Sequence, residues 1–186
     1  MRALTACLRS VSVPIILVAI SSLPAATALA QVPAAVTNRG PLVESATGGY
    51  HWTISEDDIF GIEVGNVMSV AAHKYADGTV DGVFHYKQTA FGEAFIFTVR
   101  VTCMNVYEGN RAKIGGVIEV SNDPTLPPGI FLWFQAIDNG QGNAAFPDES
   151  TIIGAGDEAE NEEFCDSPAF PRFGPWEVQG NLQVRD

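Results

Sequence analysis

The strongest constraint on the fold is an alternation of apolar and polar residues with a period of two. Apolar residues or glycines occupy every second position of 95–103, of 112–120 and of 176–184. A helix repeats its apolar positions every three to four residues, whereas successive side chains of a β-strand point to opposite faces of the sheet. The pattern therefore predicts antiparallel strands with one buried and one wet face, and Cys103 falls on the apolar side of its strand.

Short turn sequences separate these alternating segments. Asp77-Gly78 predicts a two-residue hairpin turn, and Glu108-Gly109-Asn110 links the next pair of strands. The two-residue turn pairs Lys74 with Asp81 on the outer face. The same register predicts that the inner face of this hairpin carries Ala71, His73, Tyr75, Val80, Gly82, Phe84 and Tyr86.

The predicted strands follow one another through nearly the whole chain after the N-terminal region. They lie at 42–54, 63–76, 79–88, 94–107, 111–121, 129–138, 148–154 and 176–185, which gives seven or eight strands depending on whether 148–154 forms one. Consecutive hairpins pair in sequence order, and pairing the first strand with the last removes exposed edges. We therefore expect an all-β fold, a single antiparallel up-and-down barrel that is lipocalin-like or related, with a two-sheet sandwich as the alternative. The acidic segment Asp157–Cys165 predicts one short helix.

The first thirty residues have the features of a cleavable secretory signal peptide. Arg2 and Arg9 give a positive start, and the apolar stretch at 11–26 is shorter than the roughly 20 residues of a spanning helix. Ala28-Leu29-Ala30 has the small residues that signal peptidase requires, so cleavage is predicted after Ala30. The protein is expected to be secreted or periplasmic without a membrane anchor, with a flexible lead-in at 31–41 and a barrel domain at 42–186.

Removal of the signal peptide changes both the charge and the cysteine content. The segment holds two of the ten basic residues and none of the 22 acidic ones, so the formal net charge moves from −12 to −14. Such a surface repels phosphate backbones, and no binding to nucleic acid is expected. Cys7 is lost with the segment, which leaves Cys103 and Cys165 as a pair. In an oxidising compartment this pair predicts a disulfide.

Four motifs taken together resemble those of a group of small secreted bacterial proteins without an assigned function. They are V-T-C-M-N-V at 101–106, G-N-R-A-K-I-G-G-V-I at 109–118, D-N-G-Q-G at 138–142 and G-N-L-Q-V-R at 180–185. The resemblance covers much of 65–186. It implies an exported single-domain protein and carries no catalytic residues that could be transferred.

The leading hypothesis for function is a non-enzymatic barrel, either structural or binding a small apolar ligand in its interior. Neither a G-x-S-x-G nor an H-E-x-x-H signature occurs in the sequence, and no cofactor is predicted. The candidate ligand-binding residues are His73, Tyr75, Phe84, Tyr86 and Trp133. An alternative is a barrel-type cyclase or isomerase in which an inward His73 acts as an acid–base group.

A third hypothesis is a calcium-stabilised surface or adhesion module. Asp138, Asn139 and Asp148 supply oxygen atoms within or just after a glycine-rich loop, and calcium takes about six to eight oxygen ligands. The loop fails the EF-hand pattern, because glycines stand where ligating side chains are required. Such runs are also typical of ordinary tight turns, so no metal site is predicted beyond these weak candidates.

Overall fold

A computed structural model describes residues 39–57, 61–141, 146–167 and 174–186. The predicted signal peptide, its cleavage point and most of the lead-in lie outside these ranges. Within them the chain forms β1 (Leu42–Ile54), β2 (Val64–Tyr75), β3 (Val80–Ala90), β4 (Glu93–Tyr107), β5 (Arg111–Ser121), β6 (Phe131–Ile137), β7 (Glu149–Ser150), β8 (Gly154–Gly156), α1 (Glu158–Asp166), β9 (Trp176–Glu177) and β10 (Gln179–Arg185).

The strands form one sheet that curls into a nearly closed barrel. Each strand from β1 to β6 pairs antiparallel with the next, and β10 pairs with β1, so the last strand meets the first. On the other side, β6 pairs with both β7 and β8, and β7 pairs with β9. The all-β up-and-down barrel is thereby confirmed. The structure has more strands than predicted because 148–154 divides into β7 and β8 and 176–185 divides at Val178.

The middle of the barrel is packed with side chains. Phe84 and Phe134 are fully buried, and their rings meet edge to face with centroids 5.2 Å apart. Further fully buried apolar residues from several strands surround them: Ile54, Met68, Val99, Ile114, Ile118, Leu132 and Leu182. Burial of this apolar surface from every wall of the barrel is the main favourable contribution to its stability.

The predicted register of the hairpin between β2 and β3 is wrong by one residue. Gly78 N–H donates to Tyr75 O at 2.9 Å, and Gly78 has a positive φ of 84°. This is a type I turn followed by a left-handed glycine, which adds a residue compared with a two-residue turn. Lys74 therefore pairs with Val80, and His73 pairs with Asp81.

This shift reverses the predicted faces of β2 but not those of β3. Phe84 and Tyr86 are buried in the core as predicted. On β2, however, the core residues are Met68, Val70 and Ala72, so the alternate residues face outward. The prediction that Ala71, His73 and Tyr75 lie on the inner face is therefore wrong.

Irregular pairing between β4 and β5 also moves residues away from their predicted faces. A register shift between Val101 and Cys103 inserts one extra residue, so Met104 is buried in the core in place of Cys103. Cys103 instead faces α1, where it forms the predicted disulfide with Cys165 at an S–S distance of 2.04 Å. A second shift, beside Val99, leaves Val120 60% exposed although its position predicted an apolar face.

The short acidic helix is confirmed, and it lies against the outer surface of β4, β5 and β6. Asp157 is its N-cap: the carboxylate accepts a hydrogen bond from Glu160 N–H at 2.9 Å, and the Glu160 carboxylate accepts one from Asp157 N–H at 3.0 Å. This capping box stabilises the first turn. None of the helices in the described part of the chain is long and apolar enough to cross a membrane.

Candidate functional site

A mainly apolar pocket of about 240 Å³ lies at the end of the barrel that carries the β3–β4 turn. We call it the end pocket. Its lining comes from β3, β4, β6, β8, the loop before β6 and the segment between β7 and β8: Tyr86, Gln88, Phe97, Leu126, Leu132, Ile152, Ile153 and Ala155. Ile152 and Ile153 reach the pocket because strand pairing to β6 is interrupted between β7 and β8. The break in the edge of the sheet therefore helps to form the pocket.

A chain of directed hydrogen bonds fixes the polar groups of this pocket. Gln88 Nε2 donates to the Tyr86 hydroxyl at 3.0 Å, and that hydroxyl donates to Asn66 Oδ1 at 2.6 Å. Asn66 Nδ2 in turn donates to Val64 O at 3.1 Å. Burial raises the pKa of Tyr86, so its hydroxyl keeps the proton that it donates to Asn66.

These hydrogen bonds leave the side-chain oxygen of Gln88 available to a ligand. Because Gln88 uses Nε2 toward Tyr86, its Oε1 remains, and no described residue donates a hydrogen bond to it. Gln88 lines the pocket and is half-buried. A pocket with mainly apolar walls and an available side-chain acceptor is suited to a small apolar molecule that carries a hydrogen-bond donor.

Stacked aromatic rings support one wall of the pocket. Tyr86 and Phe97 line it, and their ring centroids lie 5.9 Å apart. Behind them, Trp52 lies 6.3 Å from Tyr86, and Tyr50 lies 5.8 Å from Trp52. Each ring limits the movement of the next, so this wall is formed before any ligand arrives.

The loop that supplies Leu126 is also held in place. Thr125 donates to Asp123 Oδ1 from both its backbone N–H, at 2.8 Å, and its hydroxyl, at 2.7 Å. At the base of the loop, Ile118 N–H donates to Ile130 O at 2.8 Å. The rim of the pocket is thus tied to β5 by backbone hydrogen bonds.

The structure does not bring the predicted ligand-binding residues together. Phe84 and Tyr86 lie inside the barrel, and Tyr86 lines the pocket. Trp133 lies on the outer face of β6, where it stacks on Phe164 with centroids 6.1 Å apart. Gln88 was missed by the sequence analysis, although it lies two residues after Tyr86 and therefore on the same inner face.

His73 and Tyr75 belong to a polar cluster on the outer surface. The His73 side chain is 34% exposed, and its Nδ1 lies 3.5 Å from Asp81 Oδ1. Tyr75 donates to Asp81 Oδ2 at 3.4 Å, and the Arg39 guanidinium pairs with the same carboxylate. Because His73 does not line the barrel interior, the cyclase or isomerase hypothesis loses the group on which it depended.

The calcium candidates do lie close together, but backbone amides occupy their oxygens. Asp138 Oδ2 accepts a hydrogen bond from Val184 N–H at 3.0 Å, and Asp148 Oδ2 accepts one from Leu182 N–H at 3.3 Å. The other oxygen of each carboxylate accepts from a backbone N–H of the loop that begins at Asn139, at 2.9 and 3.0 Å. The two carboxylates thus join β10 to the end of β6 where no strand pairs them.

Among the residues that the structure describes, no group of three or more His, Cys, Asp or Glu side chains could hold a metal ion. Asp138 and Asp148 instead close the barrel wall by accepting from strand amides that would otherwise lack a partner. We therefore assign these carboxylates a structural role.

The pKa of Asp148 predicts a specific pH dependence. Burial, and to a smaller extent the nearby Asp138 charge, raise this pKa above its usual value near 3.8. Since the folded state then binds the proton more readily than the unfolded state, this group stabilises the fold as pH falls through the window just above 3.8. Urea unfolding of the wild type and Asp148→Asn at several pH values should show the wild type gaining stability relative to the variant on acidification. A difference that stays constant or moves the other way would contradict the assignment.

A second polar cluster lies under α1 on the outer face of the barrel. Lys113 is 1% exposed, donates to Ser167 O and lies 4.9 Å from the centre of the Phe164 ring. Burial lowers the pKa of Lys113. Gln135, its cross-strand neighbour, is fully buried, and no described residue forms a hydrogen bond with its side-chain amide. The helix seals this cluster from solvent, so it offers no accessible site.

Comparison with known proteins identifies no relative. No family model, no curated protein and no solved structure matches the chain.

Proposed function

We propose that this chain is an exported, non-enzymatic barrel that binds a small apolar molecule with one hydrogen-bond donor in its end pocket. One observation carries the proposal: a pocket with mainly apolar walls retains an oriented side-chain acceptor, Gln88 Oε1. The ligand's hydroxyl would donate to this oxygen, and its apolar part would pack on Tyr86, Phe97 and Leu132. None of the described residues that line the pocket forms an acid–base pair, and we propose binding without chemical conversion.

The size of the pocket limits the ligand. A volume of about 240 Å³ equals that of roughly eight water molecules, since each occupies about 30 Å³ in the liquid. That is room for one ring with a short substituent. We therefore propose a phenol or a similarly small cyclic alcohol as the ligand class.

Export is the second part of the proposal. It rests on the signal-peptide features of residues 1–30, and the resemblance of four motifs to small secreted bacterial proteins supports it. The Cys103–Cys165 disulfide also supports export, because such bonds persist in oxidising compartments. Mass spectrometry of the protein recovered from its producing cells should show a chain that starts at Gln31 and has no free thiol.

The binding proposal is tested with two ligands of nearly equal shape. Para-cresol and para-xylene differ by a hydroxyl in place of a methyl group, so only para-cresol can donate to Gln88 Oε1. We expect calorimetry to show that Gln88→Leu lowers the affinity for para-cresol relative to that for para-xylene about 3- to 10-fold, since one neutral hydrogen bond contributes about 0.5–1.5 kcal/mol. An unchanged ratio of the two affinities would contradict a hydrogen bond to Gln88.

A variant that fills the pocket provides the second test. Leu132→Trp places a larger ring in the pocket and should abolish para-cresol binding. Val120→Trp is the matched control, because Val120 is 60% exposed on the outer wall and should leave binding unchanged. Equal binding by the wild type and a folded Leu132→Trp variant would contradict the proposed site.

A further inference from the structure

The barrel wall is split at Val178. The pairing of β10 with β1 begins where Arg185 lies opposite Ser45 and ends where Gln179 lies opposite His51. Beyond this point the chain leaves β1: Val178 N–H donates to Asp148 O at 2.8 Å, and β9 pairs with β7 instead. The end of β1 and the facing β9 therefore diverge from each other.

The split leaves two unpaired strand edges on either side of a groove. Trp52–Ile54 pair with β2 on one side, and no described residue pairs with them on the other. The groove between the edges has a volume of about 590 Å³. Its lining comes from the end of β1, from the chain around Val178 and from one proline: His51, Trp52, Thr53, Glu177, Val178, Gln179 and Pro147.

Trp52 lies at this groove, and its side chain is buried in the core. The residue is 3% exposed, and its indole Nε1–H has no hydrogen-bond partner among the residues that the structure describes. Tyr50 and Tyr86 lie against its ring, with centroids 5.8 and 6.3 Å away. The neighbouring rings hold the indole in position, and its buried N–H is a donor for which the described residues supply no acceptor.

We propose that this groove binds a short extended peptide segment by strand addition. Unpaired strand edges offer backbone N–H and C=O groups, and the ligand that matches such groups is another extended backbone. The groove volume equals that of roughly twenty water molecules in the liquid, which is about the size of a tripeptide. Glu177 at the groove and the net charge, which is −12 for the full sequence and −14 after the predicted cleavage, favour a neutral or basic peptide over an acidic one.

This site is separate from the end pocket, and its test does not depend on the phenol-binding proposal. A capped valine–lysine–valine tripeptide is titrated into the ¹⁵N-labelled protein, and the three tryptophan indole signals are followed by NMR. We expect the Trp52 indole signal to shift saturably and the backbone amide signals of 52–54 to shift with it. The Trp133 indole, which packs under α1 on Phe164, serves as the internal control and should not shift.

Two controls separate backbone pairing from non-specific contact. The same tripeptide with N-methylated backbone amides lacks the donors for strand pairing and should bind at least about 10-fold more weakly. Trp52→Phe keeps an aromatic ring but removes the indole N–H, and it should weaken binding of the unmodified peptide about 5-fold. Equal binding of the two peptides, equal shifts at Trp52 and Trp133, or no saturable shift at millimolar peptide would each overturn the proposal.

Discussion

Replacing both Cys103 and Cys165 by serine is expected to lower the free energy of unfolding by about 4 kcal/mol. The disulfide joins residues 62 positions apart, and in the chain-entropy model a cross-link over such a loop stabilises by about that amount. The bond also attaches α1 to the barrel, and α1 buries just Asn161 and Cys165 among its own residues. Urea unfolding of the variant beside the oxidised wild type measures the loss.

The wild type reduced with a phosphine is the matched control, because it breaks the bond without changing a residue. Its unfolding free energy should fall by nearly the same amount as that of the double variant. Hydrogen exchange should show the amides of α1 losing protection before those of β2 and β3. A loss below about 1 kcal/mol in both samples would contradict a stabilising role for this disulfide.

Removing both closing carboxylates, in Asp138→Ala/Asp148→Ala, is expected to cost about 4 kcal/mol as well. Each carboxylate accepts two backbone hydrogen bonds, at 2.9 and 3.0 Å for Asp138 and at 3.0 and 3.3 Å for Asp148. A hydrogen bond to a charged group contributes about 1.5–3 kcal/mol. Because both residues are partly exposed, we take about 1 kcal/mol for each of the four hydrogen bonds. Thermal and urea unfolding of the variant test the estimate.

The location of the loss distinguishes closure of the barrel from a general effect of charge. Hydrogen exchange should accelerate first at Leu182 and Val184, whose N–H groups lose their acceptors. Asp166→Ala, which removes one carboxylate from the exposed end of α1, should change stability by no more than about 0.5 kcal/mol. If the double variant unfolds at the wild-type midpoint, the carboxylates do not close the wall.

The sequence predicts the strands well because alternation over many residues specifies both the element and its buried face. The bounds of β1 and β5 match the prediction, and the helix begins one residue after the predicted start. Pairing registers are less well determined. Asp77-Gly78 is compatible with a two-residue turn and with a type I turn followed by a left-handed glycine, and the two differ by one residue. That single residue placed His73 on the wrong face.

The site was predicted in part for the same reason. Tyr86 was identified by its inward position, and Gln88 could have been found by the same alternation. Leu126 and Ile153 could not, because they reach the pocket from irregular segments whose position depends on the closed sheet. The oxygen-rich residues Asp138 and Asp148 suggested calcium, but the amides that they bind belong to β10, more than thirty residues further along the chain.

The most direct test of the central claim is to locate para-cresol on the protein by NMR. Nuclear Overhauser effects between the bound ligand and the methyl groups of Leu132 and Ile153, with contacts to the Phe97 ring, are expected from the end pocket. The Gln88 side-chain amide signals should shift with the same binding curve. Contacts confined to the outer wall, or saturable binding that leaves these residues unperturbed, would contradict the account.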